Sequence, residues 1–324
     1  MNLERVEQIA KAVLYEGYML YPYRPSSVKN RQRWNFGLVY PRERSEASEG
    51  TEACSMNTEC LIVGHPGTLL EGRLRFLQLQ VRIAASNKSQ LASPTSNGWQ
   101  EAVEREVVFP EHSMDGLCRE RVTSVFEFPR QICVASDVER RQESIEGRIE
   151  LSAEKMREGL YKIRVRIENT ARIQSSSADP DSSLMHALIS THAILGVKDG
   201  EFVSLLEPPE ELKEFAETCH NVGAWPVLVG DQGDRNTVLA SPIILYDYPQ
   251  IAPESAGDLF DGTEIDEILS LRIMTLTDEE KREIRESDER AREILERTDS
   301  MPPEQFMKLH GAVRGMRPIK EKAS

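Results

Sequence analysis

The sequence has few of the features that reveal disulfide or metal chemistry. Aromatic residues make up only 6% of its 324 residues, and its five cysteines form no C-x-x-C pair. An odd, scattered set of thiols argues against a disulfide framework and against a closed zinc site. We therefore expect reduced thiols at the five positions, which are Cys54, Cys60, Cys118, Cys133 and Cys219.

Long apolar runs and catalytic motifs are missing as well. No run approaches the roughly 20 apolar residues that span a bilayer, and the N-terminus lacks the basic and apolar parts of a secretory signal. The glycine patterns fit neither the P-loop nor the dinucleotide fingerprint, and there is no G-x-S-x-G elbow. The sequence thus predicts a cytoplasmic protein without a membrane span, and it indicates no catalytic residue.

Acidic residues outnumber basic ones by 54 to 40, which gives a formal charge of −14. This excess disfavours binding to nucleic acid or to an anionic membrane, because both require a positive face. The charge is uneven: residues 24–44 contain six bases and one acid (+5), whereas residues 254–299 contain sixteen acids and seven bases (−9). The two patches could dock within a molecule or between protomers, or could be unrelated solvated surfaces.

Alternating apolar residues dominate the middle of the chain. Leu77, Leu79, Val81 and Ile83 predict one strand, and residues 145–151 and 163–167 predict a β-hairpin. Glycines at 196 and 200 indicate the turn of another hairpin. The predicted fold class is α+β, predominantly antiparallel β-sheet (a sandwich or open barrel-like), with a short N-terminal helix over residues 3–15 and a charged C-terminal helical extension.

A segment rich in serine and aspartate, residues 175–183, predicts a soft boundary between two domains. Residues 1–174 would form a β-rich N-terminal domain that opens with the helix and an aromatic, basic segment. Residues 184–276 would form a second β-rich subdomain with one helix. Residues 277–324 would be a charged helical tail, beginning at the capping box of Thr277 and Glu280.

The aromatic, basic segment, residues 15–34, is the most unusual part of the sequence. Its tyrosines, tryptophan and arginines are side chains that recur in binding hot spots, and its prolines reduce the entropy lost on docking. Alternatively, the tyrosines pack in the core and the cations are merely solvated. The candidate binding residues are Glu16, Tyr18, Tyr21, Tyr23, Arg24, Lys29, Asn30, Arg31 and Trp34.

A metal site is the alternative interpretation. Cys60 combined with Cys219, His220 or His192 could hold nickel, iron or zinc, although a free cysteine is more often an inert apolar side chain. A hydrolase with a dispersed site would need carboxylates and a histidine that converge in one pocket. The residues alone favour a protein without a cofactor.

The run of residues 13–34, which begins Val13-Leu-Tyr-Glu-Gly-Tyr-Met-Leu-Tyr-Pro-Tyr-Arg, resembles an uncharacterised bacterial family encoded beside high-affinity, actinobacterial-type [NiFe] hydrogenases. Residues 58–60, 200–209 and 241–267 are similar to the other blocks of that family. The resemblance covers nearly the whole chain and implies a cytoplasmic accessory role in assembling, maturing or supporting the hydrogenase. It supplies no catalytic residues.

These observations favour a non-catalytic accessory, assembly or maturation factor. Residues 15–34 would bind the protein partner, which the resemblance suggests is a hydrogenase subunit or a maturation factor. The sequence does not indicate an oligomeric state.

Overall fold

The structure is a computed structural model, and it describes residues 3–15, 36–84, 99–135, 138–173 and 180–250, with isolated positions between 277 and 300. Its ten strands form one sheet. The strands are β1 (Ser55–Ala84), β2 (Trp99–Ser113), β3 (Val122–Phe128), β4 (Gln131–Ala135), β5 (Val138–Gln142), β6 (Ile145–Arg157), β7 (Leu160–Asn169), β8 (Ile189–Val203), β9 (Trp225–Leu228) and β10 (Thr237–Ser241).

The part of the chain that the structure describes contains few helices. Within the described ranges, no helix has the length and apolar character that crossing a membrane requires. The helices are α1 (Leu3–Tyr15), α2 (Arg42–Ala47), α3 (Met114–Arg119), α4 (Pro180–Leu184) and α5 (Lys213–Ala216), the last preceded by a 3-10 turn at Glu210–Leu212.

Strand β1 is the spine of the sheet. Its first part lies between β7 and β8, its middle between β8 and β2, and its end between β2 and β5. The remaining strands extend the sheet in the order β3-β6-β7-β1-β8-β10-β9. All of these ladders are antiparallel, so the predicted antiparallel class is confirmed.

A bulge interrupts β1 between its first part and its middle. Gly64 pairs with Gly200 and Leu69 pairs with Lys198, so that four residues of β1 lie opposite Asp199 alone. The Thr68 hydroxyl donates to the Asp199 carbonyl at 2.6 Å and fills the bulge. Because β8 continues past this point, the hairpin predicted at residues 196–200 is wrong.

The sheet curves around a core on its concave side. The Phe76 ring of β1 lies 5.9 Å from that of Phe126 and 5.7 Å from that of Phe128, centroid to centroid, although β7 and β6 separate β1 from β3 within the sheet. On the convex side, α1 buries Val6, Ala10 and Val13 against a cluster that includes Ile194 and Leu239. The predicted N-terminal helix is confirmed.

The predicted β6–β7 hairpin is also confirmed, with a tight turn in which Gly159 has a positive φ of 72°. Strands on both sides of residues 175–183 belong to the same sheet, and the division into subdomains stays a prediction. The predicted C-terminal helix falls mostly outside the described residues. Two backbone hydrogen bonds of helical spacing are described there, from Lys281 to Thr277 and from Ser300 to Glu296.

Candidate functional site: an arginine face over buried carboxylates

The hairpin of β6 and β7 places charged side chains on the convex side of the sheet. Successive residues of a strand point to opposite faces, so the apolar residues of both strands enter the core and the charged ones face outward. The register pairs residues of opposite charge directly across the two strands. These pairs are Arg148 with Glu168 and Glu150 with Arg166.

Glu59 of β1 lies beside this hairpin and is almost completely buried. Arg164 Nε donates to Glu59 Oε1 at 2.6 Å, and the backbone N–H of His220 donates to Glu59 Oε2 at 2.9 Å. Burial alone raises the pKa of Glu59, but the hydrogen bonds from His220 and Arg164 outweigh it and the pKa is lowered. Glu59 is therefore a stable anion.

Glu168 is the second buried carboxylate. Arg148 Nη2 donates to one of its oxygens and Arg42 Nη2 of α2 donates to the other, each at 2.7 Å. Here too burial raises the pKa, and the hydrogen bonds from Arg148 and Arg42 reverse the effect and lower it. Both oxygens thus have a charged donor.

The guanidinium groups lie above these carboxylates and reach solvent. The side chains of Glu59, Glu168 and Glu150 are 1%, 4% and 16% exposed, whereas those of the five arginines are 39–62% exposed. Five cations and three anions give a local charge of +2 on a chain of −14. We call this surface the arginine face; its cations are Arg42, Arg121, Arg148, Arg164 and Arg166.

A small cavity of 90 Å³ opens on the arginine face. Arg166 Nε is 3.9 Å from Glu168 Oε2, which is too far for a hydrogen bond, and Arg121 Nη1 is 3.5 Å from Glu150 Oε2. Both guanidinium groups therefore keep donors that an incoming anion could use. The cavity is lined by Asn57, Arg121, Glu150, Ser152, Arg164 and Arg166.

The loop that follows α5 forms one border of the arginine face. The Asn57 side-chain amide donates to the His220 carbonyl at 2.6 Å, and the Glu59 backbone N–H donates to the Asn221 side chain at 2.8 Å. Asn57 and Val222 also exchange backbone hydrogen bonds. These bonds attach the loop to β1 along the border of the face.

The predicted binding segment cannot be compared with this site, because residues 16–35 lie outside the described residues. That applies to every predicted binding residue. The residues concerned are Glu16, Tyr18, Tyr21, Tyr23, Arg24, Lys29, Asn30, Arg31 and Trp34.

The predicted metal ligands Cys60 and Cys219 are near enough for their charges to interact, but they lie on opposite faces of the sheet. Cys60 belongs to the concave core, whereas Cys219 packs beside Leu61 and therefore on the other face of β1. Burial raises the pKa of Cys60 well above its usual value and that of Cys219 to about 11, so both thiols stay protonated. In the part of the chain that the structure describes, no three Cys, His, Asp or Glu side chains form a possible metal site.

The hydrogen bonds described for the two candidate histidines have partners other than the thiols. His220 contacts Glu59 through its backbone N–H. His192 is buried in β8, where its Nδ1–H donates to the Ser190 carbonyl at 2.8 Å. Burial lowers the pKa of His192 to about 4, so its ring is neutral at physiological pH.

The sequence reasoning missed the residues of the arginine face. The signal was present in the segments Arg-Ile-Glu-Leu-Ser and Arg-Val-Arg-Ile-Glu, where charged and apolar residues alternate. Alternation alone shows that one face is polar, but the charge pairing depends on the register between strands. Glu59 and Arg42 are contributed by distant parts of the chain, and sequence pattern does not place them.

No known protein-family model matches this sequence, and no curated protein is significantly similar to it. The geometry therefore carries the functional argument. Arginine forks bind carboxylates and phosphates through paired N–H donors, so the arginine face has the chemistry of an anion-binding surface.

Among the described residues, the histidine ring nitrogens that form hydrogen bonds contact only backbone atoms.

Proposed function

We propose that the protein is a non-catalytic binding protein whose arginine face takes an acidic segment of a partner protein. The observation that carries the proposal is that positive and negative charges lie at different depths. The guanidinium groups are exposed, whereas the carboxylates that orient them are buried. Such headgroups are held in position before the partner arrives, so less side-chain entropy is lost on binding. The cavity at Arg121 and Arg166 offers a place for one carboxylate of the partner.

An acidic protein segment suits this surface better than nucleic acid does. The local excess is only two positive charges, and the chain as a whole carries −14. Nucleic-acid binding relies on neutralising many phosphates at once, whereas a short acidic segment needs only a few well-placed cations. The attached loop at His220 and the ion pairs below the arginines favour a defined docking geometry.

The resemblance to the hydrogenase-associated family supports a subunit or maturation factor of a [NiFe] hydrogenase as the partner, and a cytoplasmic location. In this proposal the protein assists assembly and holds no metal of its own. Residues 15–34 remain the predicted second docking element. A partner that carries both an acidic segment and an apolar patch would engage the two surfaces together.

The double variant Arg121→Glu/Arg166→Glu tests the arginine face. Neither residue is the principal donor to a buried carboxylate, so the fold should survive the change. Against the purified large subunit of a [NiFe] hydrogenase and against hexaglutamate peptide, we expect affinity to fall at least about tenfold, and more steeply at low salt.

Arg235→Glu is the matched control, because it makes the same charge change at an exposed arginine beside β10, away from the arginine face. Its affinities should stay within about twofold of the wild type. If the wild-type protein binds the peptide but not the hydrogenase subunit, the docking face is supported and the hydrogenase is rejected as the partner. Equal affinity of the double variant and the control for both ligands would reject the face itself.

A further inference from the structure

A second arginine lies on the opposite, concave side of the sheet. Arg105 projects from β2 between side chains of β1 and β5. Its Nε donates to Gln78 Oε1 at 2.7 Å, and its Nη2 donates to Gln142 Oε1 at 3.1 Å. Gln78 and Gln142 are buried, whereas Arg105 is partly exposed. The guanidinium is therefore held along its Nε–Nη2 edge, in a residue that is partly exposed.

Both glutamine amides are oriented by further hydrogen bonds. Gln78 Nε2 donates to the Glu143 carbonyl at 2.7 Å, and Gln142 Nε2 donates to Gln80 Oε1 at 2.8 Å. An amide whose nitrogen is already committed in this way presents its oxygen in the other direction. Each oxygen consequently points at Arg105, and the network fixes the guanidinium position.

The guanidinium lies over an aromatic ring. The Arg105 Cζ atom lies 4.8 Å from the centroid of Phe128. A cation over a ring face is attracted to the ring without using an N–H donor, so the contact does not occupy the remaining donors of the guanidinium. Burial lowers the pKa of Arg105, and the group remains charged.

The positive charge of Arg105 has no carboxylate partner among the described residues, unlike the cations of the arginine face. Glu101 is the acid of this network, and it accepts instead from Gln80 and Arg140 and pairs with Arg82. Arg105 uses Nε and one N–H of Nη2. Its remaining donors form the Nη1–Nη2 edge, which is the fork that a carboxylate engages with two parallel hydrogen bonds.

We propose that Arg105, held by Gln78 and Gln142, is the binding site for a carboxylate ligand on the Nη1–Nη2 edge. A carboxylate is planar and carries one negative charge, so it matches the fork and neutralises the charge of Arg105. A phosphate dianion would leave a surplus negative charge beside two glutamine oxygens in a partly buried place, which is unfavourable. The site rests on different residues from the arginine face and does not depend on the proposed function.

The carboxylate could belong to a small molecule or to an acidic side chain of a protein. Both sources present the same two oxygens to the fork, so the structure identifies their shared chemistry. Acetate and succinate represent the first source and hexaglutamate the second.

The test follows the Arg105 Nε–H signal in ¹⁵N–¹H spectra of the full chain while sodium acetate, succinate or hexaglutamate is added. Sodium chloride at equal ionic strength is the ion control. We expect a saturable shift with a half-point at or below about 10 mM for at least one carboxylate, as suits one bidentate pair. Arg105→Lys retains the charge but loses the fork, and thermal shift should show at least a tenfold weaker effect of acetate or succinate, the two carboxylates that are not expected to bind the arginine face.

Arg75→Gln is the matched variant, because Arg75 is an arginine of the neighbouring strand that already has carboxylate partners, Glu104 and Glu106. It should respond to carboxylates as the wild type does. Shifts that grow linearly without saturation, or that chloride reproduces, would overturn the proposal even if no variant folds. A thermal response to acetate or succinate that Arg105→Lys leaves unchanged and Arg121→Glu/Arg166→Glu abolishes would assign the binding to the arginine face and overturn the proposal as well.

Discussion

The arginine face on the convex side of the sheet and Arg105 on the concave side differ in the groups that hold their guanidinium groups in place. On the convex side, Arg164 and Arg148 contact buried carboxylates, and each guanidinium is oriented by an opposite charge. On the concave side, Arg105 contacts two neutral amide oxygens and a phenylalanine ring. On the convex side, buried carboxylates neutralise part of the arginine charge, and an excess of two positive charges remains at the surface. On the concave side, the glutamine amides orient Arg105 without neutralising its charge.

The difference decides which side contributes to stability and which to binding. Removing a cation from the convex side strands a buried anion, and burying an unpaired charge is expensive. Removing the cation from the concave side strands only neutral acceptors. The convex pairs should therefore dominate stability, while Arg105 should contribute more to ligand binding than to folding.

The largest effect is expected for Arg164→Ala. Glu59 would keep the His220 N–H but lose its only charged hydrogen-bond donor among the described residues. We expect the free energy of unfolding in urea to fall by about 2 kcal/mol, less than the ~3–5 kcal/mol of a fully buried pair, because Arg164 is half exposed. Adding Glu59→Gln should restore at least half of the loss, since the anion is then gone. A double variant less stable than the single one would contradict this account.

Acid should weaken the same convex pairs. The pKa values of Glu59 and Glu168 are lowered in the fold, so their stabilisation is present above the unfolded carboxylate pKa of about 4.3 and is lost as the pH falls through the folded values. Unfolding free energies measured from pH 6 to pH 2 should therefore decline at the acidic end. Glu168→Gln should flatten that decline, whereas Arg105→Lys should leave its slope unchanged.

A smaller effect is expected for Arg105→Met. The thioether fills part of the space, but the oxygens of Gln78 and Gln142 lose their donor, and unsatisfied neutral acceptors cost about 1 kcal/mol here. Because no opposite charge is involved, the loss should be the same at low and high salt. Urea unfolding at two salt concentrations checks this. A salt-dependent loss would mean that Arg105 has an anionic partner and would remove the contrast between the two sides.

The sequence shows how far such a contrast can be anticipated. Period-2 patterns correctly predict the β6–β7 hairpin and the strand at residues 77–83, because each has one apolar face. The same patterns do not predict that β1 is a single strand of 30 residues, because the bulge at Thr68 interrupts the alternation between its first part and its middle.

The error at residues 196–200 has a physical cause. Glycine commonly marks the turn of a hairpin, but Gly200 is required for close packing: a Cβ atom there would lie 2.7 Å from Thr68 Cγ2. The candidate sites could not be predicted from the sequence, because their residues are distant along the chain. Glu59 and Arg164 lie 105 residues apart in sequence, and only the strand register brings them together.

The smallest effect on stability is expected for Arg121→Ala. Its side chain is 62% exposed and lies 3.5 Å from Glu150, so an exposed pair of this kind contributes at most about 0.5 kcal/mol. Yet Arg121 borders the cavity of the arginine face, and its loss should weaken hexaglutamate binding about threefold to tenfold. Calorimetric titration together with urea unfolding separates the two quantities. Unchanged peptide affinity in a variant of wild-type stability would show that the cavity is not where the partner docks, and would leave the convex arginines with a structural role alone.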